Sequence, residues 1–349
     1  MTRGKKSTIK KWFANARDVS VAQSLLPSVL AVVLAISTQD FCTWAALLAV
    51  VGVVTAHMGM NLADDYFDYR VDMLSDREKV TRKGFRAMLV KYPYLTDGSE
   101  TPATLLRAIA LFFLTALACG LPIFLLRTRQ FGFLSPTGSW ILLAVVLLTA
   151  LLGIFYSAPP LKLGYRGWGE WVIGIIFGPL LMTGTYYAAA GTVTPLILWI
   201  SIPVGLLVIN ILYTHSFVER ESDAASNKMT FARLLRTDKA CLAAAYVFNF
   251  LPFALILTAV ALGYIHPLYL LVLLMIPRSV WLIRSLHAYN RGETGVPATP
   301  PRWLGRMKDW DAVKAKGIDW FLMRWLTARN ILSGFCLLIV LVKVILILI

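Results

Sequence analysis

Apolar runs separated by short polar stretches fill most of this chain. They cover residues 24–38, 42–63, 104–126, 139–156, 168–190, 195–213, 239–264, 267–286 and 328–349. A membrane-spanning helix needs about 20 predominantly apolar residues. The pattern therefore predicts an all-α polytopic membrane protein, a bundle of about nine transmembrane helices. The first run is short and holds Pro27, and the eighth holds Arg278, which must face protein or water rather than lipid. Two stretches break the rhythm. Residues 73–101 read as a cytoplasmic loop of mixed charge. Residues 291–327 begin Pro-rich and then alternate Trp303, Trp310, Trp320 and Trp325 with charged side chains, a composition suited to an interfacial segment. The chain reads as one domain over 1–349.

Composition strengthens the membrane reading. The chain is 58% hydrophobic and 15% charged, with mean hydropathy +0.68; soluble domains are about half apolar and about a quarter charged. The net charge of +15 is unevenly placed. Arg3, Lys5, Lys6, Lys10, Lys11 and Arg17 precede the first run, and further basic residues follow the second, fourth, sixth and eighth. The opposite loops carry little beyond Arg127 and Arg129. The bias of Lys and Arg towards the inner side puts the N-terminus and the ends of even-numbered spans in the cytoplasm, with a bacterial cytoplasmic membrane as the expected home. Basic residues spread over many loops suit anionic lipid headgroups and argue against nucleic-acid binding. A signal-peptide reading of the N-terminus lacks a clean small-residue cleavage site. Neither the cysteines (Cys42, Cys119, Cys241, Cys336) nor the histidines (His57, His215, His266, His287) show metal-type spacing.

Candidate chemistry lies where the spans run out. The second run ends in Asn61-Leu62-Ala63-Asp64-Asp65-Tyr66-Phe67-Asp68-Tyr69-Arg70-Val71-Asp72. If the helix continues, Asp64, Asp68 and Asp72 share one face, with Asp65 beside them. Stacked carboxylates repel, more so when partly desolvated, and a bound cation is the simplest compensation. The sixth run ends with Glu219 and Asp223, again i, i+4 and at the same membrane face. The fourth ends before Pro159 and Pro160, which stop a helix and present Tyr156, Lys162 and Arg166. Lys228, Thr230 and Arg233 follow the second acidic pair. Singly, each charge reads as a solvated or ion-paired span end; Glu221, off the acidic face, keeps that reading. Together they have a natural ligand. Mg2+ takes one or two carboxylates and completes its shell with water and substrate phosphate. Lys and Arg bind the remaining phosphate oxygens. A diphosphate bridged by Mg2+ between two acidic patches fits, and the membrane setting suggests that it carries a lipid tail.

These residues resemble the UbiA-type superfamily of intramembrane prenyltransferases, most nearly its 1,4-dihydroxy-2-naphthoate polyprenyltransferase branch in menaquinone biosynthesis. The likeness rests on the Asn61–Asp68 motif, on Tyr156-Ser157 with Lys162, Tyr165-Arg166-Gly167 and Gly169-Glu170, on Phe177-Gly178-Pro179 with Gly184-Thr185-Tyr186-Tyr187 and Gly191, and on Glu219, Asp223, Lys228 and Thr230. It runs from Trp12 to the seventh span. Three positions depart from the branch: Asp64 stands where Asn is usual, Glu219 where Asp is usual, and His215 replaces a common Asn. The first adds a charge and the second lengthens a ligand arm.

The resemblance implies helices around a central cavity open to lipid, and transfer of a polyprenyl group from its diphosphate to 1,4-dihydroxy-2-naphthoate, with decarboxylation to a demethylmenaquinone. It implies Mg2+ held by Asp64, Asp65, Asp68, Asp72, Glu219 and Asp223. Asp68, Asp72, Lys162 and Tyr156 are the expected catalytic residues. Lys162, Arg166 and Lys228 are the expected diphosphate partners, and Asn61, His215 and Arg17 the candidates for the acceptor. The expected partners are the polyprenyl diphosphate, the aromatic acceptor and membrane lipid, with no nucleic acid. Two alternatives stand beside this reading. One is a relative with another acceptor, such as 4-hydroxybenzoate or a lipid. The other is a cation transporter, which would place acids at mid-span and at the outer face as well.

Overall fold

A computed structural model describes residues 8–17, 20–73, 92–225, 228–307 and 309–349. The apolar runs become nine helices among the described residues: α1 (Ala22–Ala35), α2 (Thr43–Met73), α3 (Pro102–Phe131), α4 (Trp140–Ser157), α5 (Gly169–Ala190), α6 (Pro195–Val218), α7 (Asp238–Ala261), α8 (Pro267–Asn290) and α9 (Asp319–Leu348). Eight are long and apolar enough to cross a membrane; α1 is shorter, with 14 residues. A short helix, Thr8–Asn15, precedes them.

Burial separates the centre of the bundle from its rim. In α6, 72% of the apolar window is buried, against 11% in α3 and in α4, so α6 is the axis and those two are outer walls. Leu111, Leu114, Leu117, Leu121 and Leu125 on α3, and Val146, Leu147, Leu151 and Ile154 on α4, are exposed. Such continuous apolar faces need a hydrocarbon solvent.

Lipid offers no hydrophobic drive between helices, so small residues and polar pairs hold them together. Gly174, on α5, and Gly205, on α6, lie so close that a Cβ on Gly205 would meet the Gly174 carbonyl at 2.6 Å. Asn210 of α6 and Asn249 of α7 exchange amide hydrogen bonds of 3.1 and 2.9 Å inside the bundle. α5 also carries a π-helical turn, Ile176–Leu180, around Pro179.

Several element ends differ from the hydropathy pattern. α2 runs ten residues past its apolar stretch, to Met73. α9 starts at Asp319 rather than at residue 328. The polar start of α9 packs inside: Arg324 is fully buried, donating to the carbonyls of Ser285 at 3.3 Å and Thr294 at 3.3 Å, and the Trp320 ring stacks on Tyr289 with centroids 5.9 Å apart. Hydropathy scores those charges as if they faced lipid. Arg278 faces protein as expected, donating to the carbonyls of Trp303 at 2.8 Å and Asn330 at 2.9 Å.

Arg127, an exception to the loop-charge pattern, also has a structural task. It is fully buried and donates to Ala188 O (2.9 Å), Ala189 O (2.7 Å), Asp40 O (3.2 Å) and Gln130 Oε1 (2.6 Å). It thereby caps the carbonyl end of α5 and ties it to α3 and to the α1–α2 loop. Replacing it by Ala strands those carbonyls, at a cost of about 2–3 kcal/mol. Arg127→Ala is expected to lower the unfolding midpoint in detergent by several degrees, and an unchanged midpoint would contradict the clamp.

Candidate active site

Length places the first acidic cluster. The 31 residues of α2 span about 46 Å, well beyond a hydrocarbon core of about 30 Å. Its last turns therefore leave the apolar layer, and they carry the aspartates. Asp65 is fully buried and Asp68 nearly so. Arg17, just after the N-terminal helix, reaches Asp65 Oδ1 at 3.1 Å and Asp64 Oδ2 at 3.4 Å, and donates to Asn61 O at 2.8 Å. Burial opposes the Arg17 charge, but Asp65 and Asp64 outweigh it and raise its pKa further. The Asn61 amide returns the tie, donating to Ala16 O and Ser20 Oγ at 2.9 Å each. Tyr94 donates to Asp65 Oδ2 at 2.8 Å, and burial together with that carboxylate pushes its phenol up. The Asp72 side chain lies outside the described residues.

The α4–α5 loop lies against this cluster. α4 stops at Ser157, before the two prolines, and Ser157 donates to Asp64 Oδ1 at 2.5 Å. Lys162 sits in the left-handed region at φ 45°, half-buried, followed by a 3-10 turn, Leu163–Tyr165. A non-glycine residue held there is sparsely populated and is often kept for function. Tyr165 donates to Asp68 Oδ1.

The same loop reaches the second cluster. Arg166 pairs with Met229 through a parallel backbone bridge, while its exposed guanidinium returns to Pro160 O at 3.1 Å. Tyr156 packs over Gly164 and Gly169 and lines a small recess with Glu170, His215, Ser216, Lys228 and Thr230. α6 ends at Val218, yet the backbone bond from Asp223 N–H to Glu219 O (2.8 Å) carries the i, i+4 relation into the next helix, Arg220–Ala225. Glu219 and Asp223 are both buried, and Glu219 Oε2 lies 2.6 Å from His215 Nε2. Arg233 closes the following turn, donating to Lys228 O at 2.6 Å. Glu221 is exposed, as its off-face position predicts.

Asp64, Asp65, Asp68, Asn61 and Arg17 thus meet at one end of the loop, and Tyr156, His215 and Lys228 at the other with Glu219 beside them. Arg166 joins through its backbone only. One buried carboxylate escapes the spacing argument. Glu170 accepts from Ser216 Oγ at 2.7 Å and from Phe231 N–H at 3.3 Å, joining α5, α6 and the segment after the second cluster. Its signal in the sequence is a carboxylate in the first turn of an apolar span. Among the described residues, no three Asp, Glu, His or Cys side chains converge as a preformed metal cage.

The sequence model of the UbiA prenyltransferase family matches residues 24–299. The chain is 25% identical over 229 residues to 1,4-dihydroxy-2-naphthoate octaprenyltransferase of Mycobacterium tuberculosis, covering 65% of this chain and 70% of that one. It is 35% identical over 89 residues to 2-carboxy-1,4-naphthoquinone phytyltransferase of Synechocystis, covering 26% of this chain and only 29% of the relative. Its fold is similar to that of a UbiA homologue from Archaeoglobus fulgidus bound to GPP and Mg2+, with TM-score 0.56, 15% identity and coverage of 94% and 99%. It is also similar to a digeranylgeranylglyceryl phosphate synthase, with TM-score 0.59, 14% identity and coverage of 96% and 99%.

The Arg17–Asp65 pair yields a test. Arg17→Met leaves the fully buried Asp65 short of its cation. The loss should be about 2 kcal/mol, below the range for fully buried pairs because the Arg17 side chain is 36% exposed. Adding Asp65→Asn should recover much of it in detergent unfolding. Additive losses in the double variant would contradict the pairing.

Proposed function

This chain belongs to the UbiA prenyltransferase family, and we propose that it transfers a polyprenyl group from its diphosphate onto 1,4-dihydroxy-2-naphthoate, releasing carbon dioxide and giving a demethylmenaquinone in its quinol form. The names of the mycobacterial and cyanobacterial relatives support a naphthoate-type acceptor. One structural observation supports the site above all. The end of α4 and the α4–α5 loop span the two acidic regions: Tyr165 donates to Asp68, while Tyr156 lines a recess with His215 and Lys228 and Arg166 bridges to Met229, in the segment that carries Glu219 and Asp223. The basic inner loops support a cytoplasmic site and N-terminus.

The donor set fits Mg2+. Each cluster offers oxygen ligands from buried carboxylates, and this ion takes one or two of them and fills its shell with water and phosphate. Asp68 and Asp72 from α2, and Glu219 and Asp223 just past α6, would hold it, with Asp64 and Asp65 alongside in their bonds to Ser157, Arg17 and Tyr94. When bound, the ion offsets charge developing on the leaving diphosphate.

Lys162 on the loop and Lys228 in the recess donate charge-assisted hydrogen bonds to diphosphate oxygens. Arg166, at the exposed rim, attracts the headgroup. The Tyr156 ring face stabilises positive charge on the allylic carbon. Apolar helix walls keep water from that carbon. The allylic C–O bond breaks, and its electron pair leaves with the diphosphate. The ring carbon that bears the carboxylate forms the new C–C bond. Its bond to the carboxylate then breaks, the pair returns to the ring, and carbon dioxide departs. Arg17, Asn61 and His215 are the polar groups offered to the acceptor.

Purified protein given Mg2+, a polyprenyl diphosphate and dihydroxynaphthoate should form a lipophilic naphthoquinol. A chelator should abolish the product and added Mg2+ restore it. Asp68→Asn and Asp223→Asn, made separately, should each lower turnover at least about 100-fold. Near-normal turnover in both variants would refute the two-cluster site. Product only with hydroxybenzoate or a lipid alcohol would refute the acceptor while keeping the family chemistry.

A further inference from the structure

His57, on the helix that carries the first acidic cluster, is a polar group that the reading above leaves without a task. It lies on α2 four residues before Asn61, and the sequence His57, Asn61, Asp64, Asp68 steps by four, three and four. That spacing keeps all four on one face, with His57 about 6 Å deeper than Asn61.

Two contacts of Ser24 bear on its tautomer. His57 Nδ1 is 2.8 Å from Ser24 Oγ on α1. Ser24 already gives its hydroxyl hydrogen to Val21 O, 3.1 Å away. With the Ser24 hydrogen on Val21 O, Ser24 Oγ accepts from Nδ1, and the ring is assigned this Nδ1–H tautomer. The lone pair of the neutral ring is then on Nε2. Nε2 has no protein partner among the described residues, and the side chain is only half-buried. A histidine that merely fills a core has both nitrogens satisfied; this one has its acceptor side open.

The surroundings suit an aromatic guest. The imidazole meets the Phe177 ring edge-on, with centroids 4.8 Å apart at 70°. Phe177 belongs to the π-helical turn of α5, a distortion frequent at functional sites. Among the groups packed around His57, Ser24 and Phe177 carry no charge, and Arg17 is the charged group whose field reaches it. An acceptor with its carboxylate towards Arg17 would bring its ring down along α2 to His57.

We propose that His57 is a catalytic residue for the acceptor, Nε2 accepting the hydrogen bond of a ring hydroxyl and taking its proton as the ring carbon attacks the allylic carbon. Loss of carbon dioxide restores the aromatic ring, and the ring oxygen takes the proton back from Nε2, so no external base is consumed. Ser24 is a positioning residue that fixes the tautomer. The inference rests on the aromatic-prenyltransferase reading.

The test compares wild type, His57→Ala, His57→Gln and Ser24→Ala, each checked for an unchanged unfolding midpoint in detergent. Kinetics are run against each substrate in turn and across pH. His57→Ala should lower kcat/KM for dihydroxynaphthoate about 100-fold, the scale of one general base, with KM for the polyprenyl diphosphate unchanged. His57→Gln, which can accept a hydrogen bond but no proton, should recover acceptor KM but not kcat. It should also lose the fall in acceptor kcat/KM at low pH. Ser24→Ala should show a smaller loss of the same kind. Acceptor kcat/KM within threefold of wild type in His57→Ala, or a KM for the polyprenyl diphosphate raised as much as that for the acceptor, would overturn the proposal. Wild type inactive with the naphthoate but active with another aromatic acceptor would overturn the acceptor assignment instead, and the same variants measured with that acceptor then decide on His57.

Discussion

Carboxylates crowded at the edge of an apolar layer must be matched by donors or cations, and this requirement organises the structure. Asp65 is fully buried at the end of α2 and is held by Arg17 from before α1 and by Tyr94 from before α3. Asp64 draws in Ser157 at the end of α4, and Asp68 draws in Tyr165 from the following loop. One acidic helix end thus gathers the polar termini of four other segments. The segment of the second acidic end, just past α6, meets the same loop from its far side. Like charge that would push helices apart becomes the reason they meet at one face.

The rest of the bundle leaves that face undisturbed. Lipid-facing α3 and α4 contribute exposed apolar surface, while α6 supplies a buried axis on which α5 and α7 pack through glycine contacts and the Asn210–Asn249 pair. At the opposite end from the acids, Arg127 gathers the α5 carbonyls. Buried arginines therefore mark joints in this protein, and backbone carbonyls, not only carboxylates, answer their charge.

Hydropathy made the spans legible, because a lipid solvent demands about 20 apolar residues in a row. The i, i+4 spacing of Asp64 with Asp68 and of Glu219 with Asp223 made both acidic ends legible, since helical geometry is local. What binds them was not. Arg17, Tyr94, Ser157 and Tyr165 reach the first cluster across 29 to 97 positions of sequence, and nothing in local spacing encodes such meetings. Glu170 stood in the family likeness, but its partners Ser216 and Phe231, 46 and 61 positions away, were hidden for the same reason. The start of α9 was misplaced because Arg324 faces carbonyls rather than lipid.

The central claim is that two acidic helix ends serve one diphosphate. Calorimetric binding of an unreactive polyprenyl thiodiphosphate, with Mg2+ present, to wild type, Asp68→Asn, Asp223→Asn and the double variant tests it most directly. If both ends hold one ligand, the double variant loses no more affinity than the worse single variant. Fully additive losses, or binding indifferent to Mg2+, would contradict the account.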